Sequence, residues 1–279
     1  MQSRTSSLIT TEVIWRKIAK YFAIFKIGSE NQAVDKGDMI SLGVLVAIRV
    51  VLLTQLYRAV YLNETAIEGL TISMTMWSIT VAHSMQLSSG TRQIILGLRD
   101  EIRTGNIAHT LSKPYSFLLY LYTVFLGRFW TRLASGLALG LLTAFVLAGP
   151  IHLTFSAVVA SIILAFFGIT LNSVITMIIG ICAFWTEEVT AFRWVYDKIQ
   201  WTFSGMMIPL AFFPDTLKTV VEYSPFAVLF YAPGRILVGF EPGLFIKYLG
   251  LQIFWLVIFT ILLAIIYRKG QNNVSINGG

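Results

Sequence analysis

Arg99, Asp100, Glu101 and Arg103 crowd into LRDEIRTGNIAHTLSKP (98–114), a stretch that also carries Gly105, Leu111, Lys113 and a closing Pro114. Charges of both signs this close together on a short segment suit contact with a polar protein surface. Elsewhere, side chains that could do chemistry are sparse. His83, His109 and His152 are far apart and lack metal-ligand spacing. No GxxxxGK[ST] occurs, and a phosphate cradle needs that glycine-rich turn with its lysine. No Ser-His-Asp or Cys-His arrangement can be assembled. The single cysteine, Cys182, sits in an apolar run and excludes both an intrachain disulfide and the cysteine spacings of metal or redox motifs. The expectation is a protein without catalytic residues, metal or cofactor of its own.

The charged stretch has a shape. Ile94, Ile95, Leu98 and Ile102 fall at i, i+1, i+4 and i+8, which makes one stripe of a helix, and the charged residues cover the rest. Gly105-Asn106 is a helix stop, because both residues tolerate a left-handed C-terminal cap. A second turn from Ile107 to Leu111 ends before Lys113-Pro114, where proline restricts continuation. Two readings follow from the residues: a rod that docks in a groove of a soluble partner, or a solvated connection with a surface helix.

Arg49 interrupts ISLGVLVAIRVVLL. An arginine at mid-span costs at least about 2.5–3.5 kcal/mol by insertion scales and usually faces a partner or a cavity. Here it either lines a pathway between subunits, where it could contact cargo or an acidic group, or snorkels, or the span starts later. Arg58, with Gln55 one turn before it, reads as an interface anchor. Arg128 and Arg132, flanking Trp130, read as snorkelling to the headgroups. Glu187 and Glu188 lie in a short turn, either solvated or a minor second contact for a partner. In 214–243, Pro214, Pro225, Pro233 and Pro242 cut the chain into short pieces, while Phe226, Phe230 and Tyr231 keep it apolar. Irregular backbone at membrane depth survives only when buried in protein or lining water. Short re-entrant helices meet that condition.

The elements that must position these residues lie in a membrane. The 279 residues are 56% hydrophobic and only 13% charged, with mean hydropathy +0.73, whereas soluble domains carry about 25% charged residues. Runs such as 136–149 and 153–185 contain no Asp, Glu, Lys or Arg, and such runs read as transmembrane helices. No alternating ten-residue pattern of a β-barrel dominates. Spans are expected at about 39–62, 66–88, 130–149, 153–184, 194–213 and 244–267. The 153–185 run is taken as one long helix; two passes turning near Gly168 would each be too short. GLALG (136–140) permits close helix approach and is read as packing within the subunit.

Of the 21 Lys and Arg, six lie in 1–38, five in 89–129 and two at 268–269, whereas 63–65 and 150–152 hold none and 214–243 holds Lys218 and Arg235. Positive charge marks the cytoplasmic side, so both termini and 91–113 are expected inside. The net charge of +7 then reflects orientation and anionic lipid, not nucleic acid. Residues 12–26 set Ile14, Trp15, Ile18, Phe22 and Phe25 against Arg16, Lys17, Lys20 and Lys26, the pattern of a helix lying in the membrane interface or of one packed on protein. Residues 1–38 carry charges throughout and do not read as a cleavable signal peptide. The expected organisation is a cytoplasmic N-terminus (1–38), a transmembrane region (39–268) and a tail (269–279).

Glu101, Gly105, Leu111 and Pro114 in EIRTGNIAHTLSKP resemble the cytoplasmic "E…G…L..P" segment of ABC-2 type transporter permeases, in the branch related to viologen and antibiotic exporters. IPLAFFPDTL (208–217) followed by SPFAVLFYAPGRILVG (224–239) is similar to that family's segment between the last two spans. The resemblance covers about residues 12–268. Arg49 matches no family motif. What the resemblance implies is an all-α integral membrane protein of six transmembrane helices, with an N-terminal interfacial helix, a coupling helix at 91–113 and re-entrant outer helices. The coupling residues would be Arg99, Asp100, Glu101, Arg103, Gly105, Leu111 and Pro114. The outer gate would comprise Pro209, Phe213, Pro214, Pro225, Phe226 and Pro233. It further implies cytoplasmic ABC ATPase subunits that bind ATP and Mg, a second permease, identical or related, and a bacterial cytoplasmic membrane. Competing classes are a secondary transporter, which should show internal repeats and intramembrane acids absent from this sequence, and a membrane assembly or immunity protein that does not transport.

Overall fold

The computed structural model describes residues 2–111, 115–186 and 188–277. Eleven α-helices occur among them and no strand: α1 Gln2–Val34, α2 Lys36–Val60, α3 Ile72–Ser88, α4 Thr91–Arg103, α5 Asn106–Leu111, α6 Phe117–Ala148, α7 Phe155–Ile181, α8 Thr190–Phe203, α9 Asp215–Glu222, α10 Pro225–Val238 and α11 Pro242–Asn277. Local chemistry sets the starts. Asp35, Thr71, Ser116 and Thr154 cap α2, α3, α6 and α7, each side chain accepting a hydrogen bond from an amide of the first turn. Pro225 and Pro242 open α10 and α11, where a missing N–H costs nothing.

Four helices among the described residues are long and apolar enough to cross a membrane: Lys36–Val60, Phe117–Ala148, Phe155–Phe184 and Pro242–Gln271. The 153–185 run is one continuous helix that ends in a 3-10 turn at Cys182–Phe184. Two of the six expected spans differ. The 66–88 region yields α3 with 17 residues, and 194–213 yields α8 with 14. At 1.5 Å per residue these are about 25 and 21 Å long. The expected span at 194–213 breaks because Gly205 takes a left-handed φ of 67° and Pro209 follows.

The core centres on the two shorter apolar helices. Ile79, Ala82 and Met85 of α3 are at most 1% exposed, as are Ala227 through Phe230, Ala232 and Ile236 of α10. α10 runs antiparallel to α7: Leu229 meets Gly168, and Ser161 Oγ donates to the Pro233 carbonyl at 2.9 Å. A Cβ on Gly168 would lie 2.3 Å from the Leu229 oxygen. Pro233 has no N–H for that oxygen, which is left free for this backbone-to-backbone approach. Gly168 is thus a helix crossing, not a turn. Gln252 of α11, fully buried, donates to Leu164 O at 2.9 Å and Val228 O at 2.7 Å, tying α7, α10 and α11 together. The GLALG glycines make room in the same way: Cβ atoms at Gly136 and Gly140 would crowd Leu42 and Val46 of α2 and Thr80 of α3.

The N-terminal helix exceeds the expected 12–26 and reaches Val34. It lies along α6, with Ser29 Oγ and Thr131 Oγ1 2.7 Å apart. Trp15, Ile18 and Phe22 stay exposed. At the other end α11 continues past Arg268 to Asn277.

Candidate functional site

The charged segment folds as two short helices. In α4, Ile95 and Leu98 are buried against the end of α7, where Gly180 lacks the Cβ that would stand 2.8 Å from Leu98 Cβ and Cδ1. The apolar stripe therefore serves the chain's own packing; the opposite edge is what a partner could reach. Gln93, Gly97, Asp100 and Arg103 are exposed, and Glu101 is half-buried beside Arg128 in a cleft of about 100 Å³ against α6. The helix ends as its sequence dictates, with Thr104 N–H donating to Asp100 O and Gly105 at φ 74°. Ile107 of α5 is fully buried. The Leu111 side chain and Pro114 lie outside the described residues, as does Glu187.

Arg99 faces inward to a partner 89 residues away. Its Nη1 donates to both Glu188 oxygens at 3.1 Å, and its Nε donates to Asp100 Oδ1 at 3.0 Å. Glu188 also accepts from the Thr190 amide at 2.9 Å and from the Thr190 hydroxyl. The Thr190 hydroxyl and amide, with Arg99 after them, pull the Glu188 carboxyl down to about 2. Asp100, then Glu188, raise the Arg99 guanidinium above its ordinary value. This clasp joins α4 to the start of α8.

Arg49 sits about 20 Å along α2 from its first residue. Its Nη1 lies 3.3 Å from His83 Nδ1 and donates to Gln86 Oε1 at 3.3 Å, and its guanidinium stands 5.0 Å from the Trp201 ring centroid. Arg49, Gln86 and Trp201 line a cleft of about 470 Å³ between α2, α3, α4, α6 and α8, with His83 buried behind them. Arg92, Arg132 and Arg193 enter the same cleft. Arg132 pairs with Asp38 at 2.9 Å and Arg193 with Asp197 at 2.9 Å. Behind it, Asn172 Oδ1 accepts from Tyr196 Oη at 2.8 Å and Gln200 Nε2 at 2.9 Å, and Asn172 Nδ2 donates to Thr91 at 3.4 Å. These four residues are buried and lock the start of α4 to α7 and α8.

The expected outer residues fall into two places. Pro209 is buried, Phe213 half-buried and Pro214 exposed, in the stretch between α8 and α9. That stretch is fastened to the end of α2: Tyr57 Oη donates to Met207 O at 2.8 Å, and the Phe212 ring is 6.2 Å from both Tyr57 and Tyr61. Pro225, Phe226 and Pro233 belong to α10, with Phe226 6.2 Å from the Tyr196 ring.

A family model described as ABC-2 family transporter protein matches residues 45–278. This chain belongs to that family. The match takes in α3 to α11, most of α2 and every expected coupling and gate residue. No curated protein matches the chain. As an ABC-2 family member with four membrane-length apolar helices, the chain is a multi-pass membrane protein and a transmembrane component. Within it, the groups gathered around Arg49 were not legible beforehand. His83 looked like an isolated histidine, and Gln86, Trp201, Arg193 and Asp197 gave no signal. The usable hint was Arg49 itself, an intramembrane charge that demands partners.

Proposed function

We propose that this ABC-2 protein is the permease subunit of an ATP-binding cassette exporter, forming the translocation pathway with a second permease. A separate cytoplasmic nucleotide-binding subunit holds ATP and Mg and drives it through the 91–113 coupling segment. Six crossings complete the subunit, α3 and α8 with the 204–212 stretch being the two short ones, of which α3 is shielded from lipid by the chain's own helices. Both termini face the cytosol of a bacterial cell, with the Trp15–Phe22 face of α1 in the inner interface. The 214–243 segment dips back from the outer side and closes the pathway there.

One observation carries this reading. The apolar stripe of α4 is consumed by α7, leaving an edge of Asp100, Arg103 and Gly105, with Glu101 beside it, free for a soluble partner. ATP binding closes the ATPase pair and displaces α4. Leu98 against Gly180 passes that displacement to α7, and the Arg99–Glu188 clasp passes it to α8, which carries Trp201 onto Arg49. Such a ligand shifts the equilibrium only through its different affinity for the two arrangements.

The test is purification in mild detergent with the candidate ATPase subunit. Wild type should retain the ATPase, and Glu101→Ala or Gly105→Ala should insert normally while losing permease-dependent changes in ATP hydrolysis. Absence of any retained ATPase, or labelling that reaches 91–113 from outside, overturns the proposal.

A further inference from the structure

The cleft around Arg49 has an uneven charge balance. Arg132 and Arg193 have their carboxylates in Asp38 and Asp197. Arg49 has only His83, Gln86 and the Trp201 face, and no carboxylate among the described residues pairs with Arg92. The cleft thus holds two positive charges in surplus. One of them lies well along a membrane helix, where an uncompensated guanidinium is costly and an anion within reach offsets that cost. Guanidinium forks match the paired oxygens of phosphate and carboxylate.

The cleft borders a second groove of about 450 Å³ with which it shares Arg132 and Leu87. Leu42, Val44, Leu45 and Ile48 of α2 make most of that groove's wall, with Ser41 and the Asp38 carboxylate, paired to Arg132, completing it. A polar chamber with surplus positive charge beside a mostly apolar trough has the outline of a charged headgroup joined to a hydrocarbon tail. The geometry points to a binding site for an anionic amphiphile, its phosphate or carboxylate headgroup held by Arg49 and Arg92 and its tail along α2. This deepens the exporter reading, on which it rests for the ligand's role as cargo. Headgroup recognition itself stands on the cleft alone. Either a cargo molecule or a bilayer phospholipid can supply this chemistry.

The full chain in nanodiscs of zwitterionic lipid would be titrated with dodecyl phosphate, and separately with dodecyltrimethylammonium and inorganic phosphate, with native mass spectrometry counting bound molecules. Dodecyl phosphate should bind and the cationic amphiphile should not. Free phosphate should bind more weakly than dodecyl phosphate, because it lacks the tail. Losing the charge-assisted contacts in Arg49→Gln/Arg92→Gln should weaken dodecyl phosphate at least about tenfold. Arg49→Lys should keep a large part of the affinity, and Arg58→Gln, at the outer end of α2, should leave it unchanged; both report on folding as well. Nanodiscs containing phosphatidylglycerol separate the two sources. Competition that depends on Arg49 identifies bilayer lipid as the occupant, and its absence identifies a cargo-type amphiphile. Equal affinity for the cationic detergent, or binding unchanged in the double variant, overturns the site. Because this assay contains no ATPase, its failure leaves the exporter reading standing, and failed ATPase retention leaves the site standing.

Discussion

Gly168 is where two helices touch backbone to backbone, and adding one methyl group there tests the account of the core. An alanine Cβ at 168 would lie 2.3 Å from the Leu229 oxygen and 3.3 Å from Gln252 Nε2. Carbon and carbonyl oxygen ordinarily approach no closer than about 3.3 Å, so α7 and α10 must part by about 1 Å. The atom in the way belongs to a backbone and cannot swing aside. Parting the helices also stretches the Ser161–Pro233 bond and the two bonds of Gln252. Overpacking of this kind costs about 1–3 kcal/mol. At about 2–4 °C per kcal/mol for a chain of this size, Gly168→Ala should lower Tm by roughly 2–12 °C. The same substitution at Gly97 provides the control. That residue is exposed in α4, and a Cβ there meets nothing within 4 Å. Alanine there gains about 0.5–1 kcal/mol in helix preference, so Tm should hold or rise. Thermal unfolding of both variants in one detergent, followed by intrinsic fluorescence, makes the comparison. Equal Tm values for the two variants would refute the reasoning, because they would mean that α7 and α10 do not meet at Gly168.

Leu98→Ala leaves a cavity between α4 and α7 and should cost about 2–5 kcal/mol locally. Faster hydrogen exchange at 91–103, with α11 unchanged, is the expected signature, and unchanged exchange at 91–103 would exclude this seat for α4. The Glu188 carboxyl is held at about 2 against an ordinary 4.5, so the stability it contributes is present above about pH 4.5 and lost as pH falls toward 2. The difference in thermal stability between wild type and Glu188→Gln should therefore be constant from pH 8 to about 5.5 and shrink below about 4.5. A difference that stays flat down to pH 3 contradicts the clasp. Gln252→Leu removes two buried hydrogen bonds worth about 0.6 kcal/mol each in a membrane and should lower Tm by a few degrees; no change would show that the amide contributes nothing.

Much of the frame was legible because it is local. An uncharged run of 33 residues had to be helix. The end of α4 at Gly105 followed from the left-handed conformation that glycine tolerates. GLALG announced close packing and delivered it within the subunit. The regions 66–88 and 194–213 form helices shorter than the expected spans, and hydropathy could not foretell it, because it counts apolar side chains without telling those that face lipid from those that face protein. α3 is short and rich in Ser and Thr because it is surrounded by protein, and α8 stops at a glycine whose turn the apolar count does not register.

By itself the sequence determined that the chain lives in a membrane, that its positive charge gathers in a few segments between apolar runs, and which short segment is charged and sharply ended. Those properties are sums over neighbours in the chain. Only the tertiary structure decided that the stripe of α4 faces inward, that Arg99 is spent on Glu188, and that Arg49 meets His83, Gln86 and Trp201 at the mouth of an arginine-lined cleft. Those contacts join residues 34 to 152 positions apart, and their partners are fixed by how whole helices cross, a property that no local pattern contains.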